Sequence, residues 1–125
     1  MKKIISTTNA PAAIGPYSQA IEINNMIYTS GVIPINPEDS TVVTGDIKVQ
    51  ADRVLKSLSA LLEAAGTSLD KVIKTTVFIK NMEDFAAMNE VYASYFTSNC
   101  PARSCVEVAR LPKDVLIEIE AIAYR

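Results

Sequence analysis

The chain has 125 residues, 49% of them hydrophobic and 21% charged, with few glycines and prolines, which is the profile of one ordered globular domain spanning residues 1–125 rather than a disordered polymer. Twelve basic against fourteen acidic side chains leave a formal charge of −2, and no run of Lys or Arg traces a phosphate backbone, so nucleic acid is not an expected partner. There is no histidine and there are two cysteines, so zinc ligation and Ser–His or Cys–His catalysis lack their usual residues.

The opening, MKKIISTTNAPAAIGPYSQ, has no long apolar stretch and does not read as a secretory signal, and no segment approaches the ~20 apolar residues that span a bilayer. A short strand is expected at residues 3–6. QAIEINNMIYTSG reads as a hairpin turning at Asn24 and Asn25, residues that tolerate the positive φ of tight turns. PINPEDSTVVTG reads as a loop.

From Asp46 to Ala65, apolar residues recur at three- and four-residue intervals, and Gly66 supplies a stop, so an amphipathic helix is predicted. KVIKTTVFIK, rich in β-branched residues, reads as a strand. Asn81 and Asp84 offer capping oxygens to a second helix whose face carries Phe85, Met88, Tyr92, Tyr95 and Phe96. RSCVEV and VLIEIEAIA, separated by ARLPKD, read as an antiparallel pair. Cys100 and Cys105, five apart in a segment read as extended, are too distant to bridge, and free thiols in a chain without a leader point to the cytoplasm.

Two helices cover one face of such a sheet. The residues expected beneath them are Ile73, Val77, Ile79, Val106, Val108, Ile117 and Ile119. Val72, Thr76, Phe78, Leu116 and Ile122 would then share the other face with Arg103, Cys105, Glu118 and Glu120, a mixed apolar surface that a second copy of the chain is expected to cover.

With a simple register, Cys105 falls opposite Glu118 and Arg103 opposite Glu120. One reading of this patch is a cross-strand ion pair. The other is a carboxylate clamp, because a guanidinium presents a planar fork that matches two oxygens, leaving a glutamate free to orient or deprotonate a water. The residue pattern leaves both open.

PARSCVEVARLPKDVLIEIEA resembles the C-terminal signature of the Rid (RidA/YjgF) family, and NAPAAIGPYSQA, YTSGVIPINP, EAAG and KTTVFIKNMEDFAAMN agree with it in order along essentially the whole chain. The resemblance implies an α+β fold of the chorismate-mutase-like type, with a mixed six-stranded sheet, two helices on one face, and a homotrimer that packs sheets together and forms clefts between subunits. It also implies an enamine/imine deaminase that needs no metal or cofactor. Such an enzyme hydrolyses 2-iminopropanoate and 2-iminobutanoate, formed from 2-aminoacrylate and 2-aminocrotonate, to pyruvate or 2-oxobutanoate and ammonia.

Carried over by position, Arg103 holds the substrate carboxylate, the Cys105 main-chain N–H assists, and Glu118 positions the attacking water, with Glu120 as the alternative. Tyr17, Ser30, Gly31 and Asn89 match further cleft residues, some of them contributed by the neighbouring subunit. Two other functions stay in view, a trimeric small-ligand-binding or chaperone protein without turnover and a ribonuclease, the second disfavoured by the acidic charge and the missing histidine.

Overall fold

The computed structural model describes residues 1–125. In chain order the elements are β1 (Lys3–Ile5), β2 (Ala20–Ile23), β3 (Met26–Thr29), β4 (Ile35–Asn36), β5 (Thr41–Val42), α1 (Ile47–Ala64), β6 (Val72–Ile79), α2 (Phe85–Tyr95), β7 (Ala102–Glu107) and β8 (Ile117–Tyr124). Six strands form one mixed sheet in the order β1-β2-β3-β8-β6-β7, and both helices pack on one face of it, the α+β architecture expected from the resemblance.

Local chemistry explains the elements. Asn24 and Asn25 both hold positive φ, 50° and 63°, so β2 and β3 close through a two-residue turn whose twist suits antiparallel strands. The Asp46 side chain accepts a hydrogen bond from the Val49 N–H and caps α1. At the other end Gly66, at φ +85°, donates to the Glu63 carbonyl while Thr67 donates to that of Leu62, the paired bonds of a Schellman stop that an L side chain at position 66 would strain. Val54, Leu55, Leu58 and Leu62 form the stripe that α1 buries against the sheet, where Ile27, Val77, Ile79, Ile117 and Ile119 meet it with essentially no exposure. The segment expected to be a loop contains the small β4–β5 pair, tied to the body by Gln50, whose side chain donates to the Val43 carbonyl and accepts from the Leu116 N–H.

Several expectations need correction. β7 does not pair with β8. β6 lies between them, parallel to β7 and antiparallel to β8. The reason is the helix between β6 and β7: a strand–helix–strand crossover returns the chain parallel to the strand it left, and the segment after Glu107 then carries it across β6, turning at Pro112–Asp114 with Lys113 and Asp114 at positive φ. Arg103 therefore lies beside Thr75 and Cys105 beside Val77, on the helix-covered face. Glu118 and Glu120 lie beside Phe78 and Thr76 on the open face. The two pairs, expected to face one another, occupy opposite sides of the sheet.

The burial assignments change with the register. Ile73 sits in a bulge between Val72 and Lys74 and is exposed, Val72 is buried in its place, and Val106 follows Phe78 onto the open face. Neither Asn81 nor Asp84 caps the second helix through its side chain. Glu107 reaches over from β7 instead and accepts the Met82 N–H at 2.7 Å.

Candidate functional site

Arg103 rises from β7 toward α2, where residues spaced at i, i+4 and i+7 present Phe85, Asn89 and Tyr92 on one stripe. The guanidinium carbon lies 4.7 Å from the centroid of the Tyr92 ring and 5.4 Å from that of Phe85, within cation–π reach of both. Nη1 donates to Asn89 Oδ1 at 2.7 Å. That hydrogen bond uses one of five N–H donors, and no carboxylate of the chain pairs with the cation, so the cross-strand ion pair does not form. Beside it opens a hollow of about 460 Å³ lined by Asn89, Tyr92, Ala93, Phe96, Cys100, Pro101 and Arg103.

The edge position of β7 adds a second donor. The Val108 N–H donates to the Ile79 carbonyl, and in a parallel ladder alternate residues bond to the neighbour, so residues 102, 104 and 106 turn inward as well. The main-chain N–H of Cys105 consequently points outward from the sheet's free edge. Its side chain packs against the core, and burial pushes the thiol's pKa up, only partly offset by the Arg103 charge. The thiol is thus held in its un-nucleophilic form, in keeping with a role for the main chain rather than for sulfur.

The remaining positions gather elsewhere. The Val32–Ile119 bridge brings the end of the first hairpin against β8, so that a Cβ at Gly31 would fall on the Glu118 carboxylate. Glycine here is a requirement of space. Ser30, Gly31 and Tyr17 line one recess, with Tyr17 about half exposed and Ser30 Oγ donating to the Ser18 carbonyl at 2.7 Å. Glu118 is half-buried, and first burial, then the neighbouring charge of Glu120, raise its pKa above the ordinary glutamate value. The site residues therefore fall into two groups within a protomer, Arg103, Asn89 and Cys105 in one and Tyr17, Ser30 and Gly31 in the other, with Glu118 joined to the second through Gly31. Reading the sequence missed Phe85, Tyr92 and Thr75 as parts of the arginine's setting, although the Phe85–Asn89–Tyr92 spacing carried the signal.

The mixed sheet that carries this arrangement has close counterparts among solved structures. Residues 7–125 match the family described as Endoribonuclease L-PSP. A RutC family protein of Pyrococcus horikoshii is 61% identical over 125 residues, covering 100% of this chain and 99% of the relative. The 2-iminobutanoate/2-iminopropanoate deaminase of Escherichia coli is 55% identical over 128 residues, covering 100% and 99%. A crystal structure of a protein of unknown function from the conserved Rid family of Yersinia pestis superposes with a TM-score of 0.97 at 52% identity, covering both chains completely. The chain belongs to the Rid family.

Proposed function

We propose that the protein is an imine deaminase that hydrolyses small 2-imino acids, 2-iminopropanoate and 2-iminobutanoate, to 2-keto acids and ammonia. The observation that carries this reading is Arg103, a cation with most of its donors uncommitted, facing a hollow beside an outward main-chain N–H. Such a pair suits a carboxylate, one oxygen on the guanidinium fork and one on the Cys105 N–H. The 55% identity to a protein named for this reaction supports the same reading.

In this proposal a homotrimer completes the site. One protomer supplies Arg103, Asn89 and the Cys105 N–H, and its neighbour supplies Tyr17, Ser30, Gly31 and Glu118. The separation of Arg103 and Glu118 on opposite sides of one sheet supports it, as does the uncovered apolar face, where Tyr28 and Val106 are each 43% exposed.

With the carboxylate held, C2 of the imine is presented to a water hydrogen-bonded to Glu118. The water oxygen bonds to C2, the C=N electron pair moves to nitrogen, and Glu118 takes a water proton and passes it to nitrogen. The O–H proton of the resulting carbinolamine is then transferred, again through Glu118, to its nitrogen, and the C–N bond breaks to release ammonia and leave the keto acid. The imine is already electrophilic, so placement of the two reactants supplies most of the acceleration. A glutamate whose pKa is raised by burial is a better acceptor for that proton than an exposed one.

The test is a coupled assay in which threonine dehydratase generates the imine and 2-oxobutanoate release is followed. Wild-type protein should accelerate release. Arg103→Ala, and equally Arg103→Lys, which loses both fork and stacking, should lose most of that acceleration while remaining folded. Full activity in either variant refutes the assignment. The family description names an endoribonuclease, and Arg103-dependent cleavage of RNA by the same preparation would favour that reading instead.

A further inference from the structure

Thr75 is a polar residue at the centre of the helix-covered face of β6, with no exposure, and its hydroxyl shares a 2.7 Å hydrogen bond with the hydroxyl of Tyr92, itself buried. A valine and a phenylalanine would fill these positions with similar volume, and replacing both partners of a buried hydrogen bond by apolar groups of like shape is close to neutral for stability. Stability alone therefore does not account for the pair.

Its geometry does. Tyr92 stands on α2 with its hydroxyl pinned to the sheet and the face of its ring toward the Arg103 guanidinium, 4.7 Å away. A phenyl ring free at its far end can swing on its Cα–Cβ bond and slide away from the cation, whereas a ring tethered there by its hydroxyl cannot. The position of the ring face sets where the cation rests, and Asn89 limits how the guanidinium turns there by accepting from Nη1. Phe96 backs Tyr92 from behind, its ring centroid 4.6 Å from that of Tyr92.

We propose that Tyr92, locked by Thr75, is a positioning residue that holds the Arg103 fork in the orientation which receives the substrate carboxylate. The inference rests on the carboxylate-clamp reading of Arg103. The N–H donors of a guanidinium lie in its own plane, so one that is free to tilt keeps its charge but no longer aims a donor at the carboxylate oxygen. The expected signature is weaker ground-state binding with chemistry on the bound substrate largely intact.

The experiment measures the Kd of 2-oxobutanoate by calorimetry, and KM and kcat in the dehydratase-coupled assay, on the full chain, with thermal melting alongside. Tyr92→Leu, which removes the stacked face, should raise Kd and KM roughly tenfold, the scale of a desolvated cation–π contact, with kcat within about twofold. Tyr92→Phe should recover most of that loss, leaving about a threefold deficit, and Thr75→Val should show the same deficit because it frees the same tether. An unchanged Kd in Tyr92→Leu overturns the assignment, as does a fall in kcat at constant KM. If Tyr92→Leu does not fold, the double variant Thr75→Val/Tyr92→Phe, which preserves volume, carries the test, and a wild-type Kd there overturns it. Arg103→Ala separates the two levels: if it binds the keto acid as wild type does, the clamp itself is wrong, whereas lost binding in Arg103→Ala beside wild-type binding in Tyr92→Leu removes only the positioning role.

Discussion

Glu118 and Glu120 lie two residues apart on the same open face, and each perturbs what the other can do. Folding raises the pKa of Glu118, so its contribution to stability is full below the ordinary glutamate value and is lost as pH climbs through the raised one. Glu118→Gln should therefore melt higher than wild type at pH 7–8, with the two curves converging toward about pH 4, the ordinary glutamate range. In the proposed mechanism catalysis runs the other way, because there the ionised form orients the water. The acidic limb of kcat/KM should sit above the ordinary glutamate range. Glu120→Gln, by removing a like charge, should move that limb to lower pH while keeping activity, a shift that pH–rate profiles of the two variants would register. If Glu120→Gln instead abolishes turnover and Glu118→Gln does not, the roles are reversed. Gly31→Ala probes the same carboxylate from behind. A methyl there displaces the flexible end of a side chain rather than backbone, so kcat/KM should fall at least tenfold with little change in melting temperature.

At the scale of elements, Gln50 is where three segments meet: α1, which carries it, the strand pair β4–β5 reached through the Val43 carbonyl, and the start of β8 at Leu116. Gln50→Leu would leave two partly buried main-chain groups without their partner and should cost about 1–3 kcal/mol in urea or thermal unfolding, more than its exposed neighbour Val49→Ala. Most of the fold was legible in the sequence for reasons of this local kind. The α1 stripe, its Asp46 and Gly66 ends, and the Asn24–Asn25 turn follow from side-chain spacing and φ preference alone. The partner of β7 was not, because two consecutive strands joined by ARLPKD look alike whether they form a hairpin or step over a third. The decisive information lay upstream, in the strand–helix–strand order of β6, α2 and β7, which forces a parallel return. That one register decision also determines which face Arg103 occupies. The identities of Arg103, Asn89, Glu118 and Gly31 could be picked out from motif, whereas their division between two sides of the sheet, and the support of Arg103 by Tyr92 and Thr75, depend on tertiary placement that residue type does not encode.

For the whole molecule, the open face is the feature left without an intramolecular partner. Phe78 and Ile122 are only half-buried there, and α1 and α2 are committed to the other side. In the proposed trimer this face packs against its copies. Phe78→Glu should then shift the molecular mass measured by light scattering from three chains toward one, and deamination should fall with it although Arg103, Asn89 and Tyr92 are untouched. A monomeric variant that kept full activity would show that one chain suffices.

Arg103 and Glu118 look away from each other across a single sheet, so in the proposed trimer two damaged chains should make good each other's loss. Arg103→Ala and Glu118→Ala homomers should both be inactive. When the two are unfolded together in equal amounts and refolded, a cyclic assembly joined head to tail places an intact arginine against an intact glutamate at about one seam in four, and roughly a quarter of wild-type turnover should return.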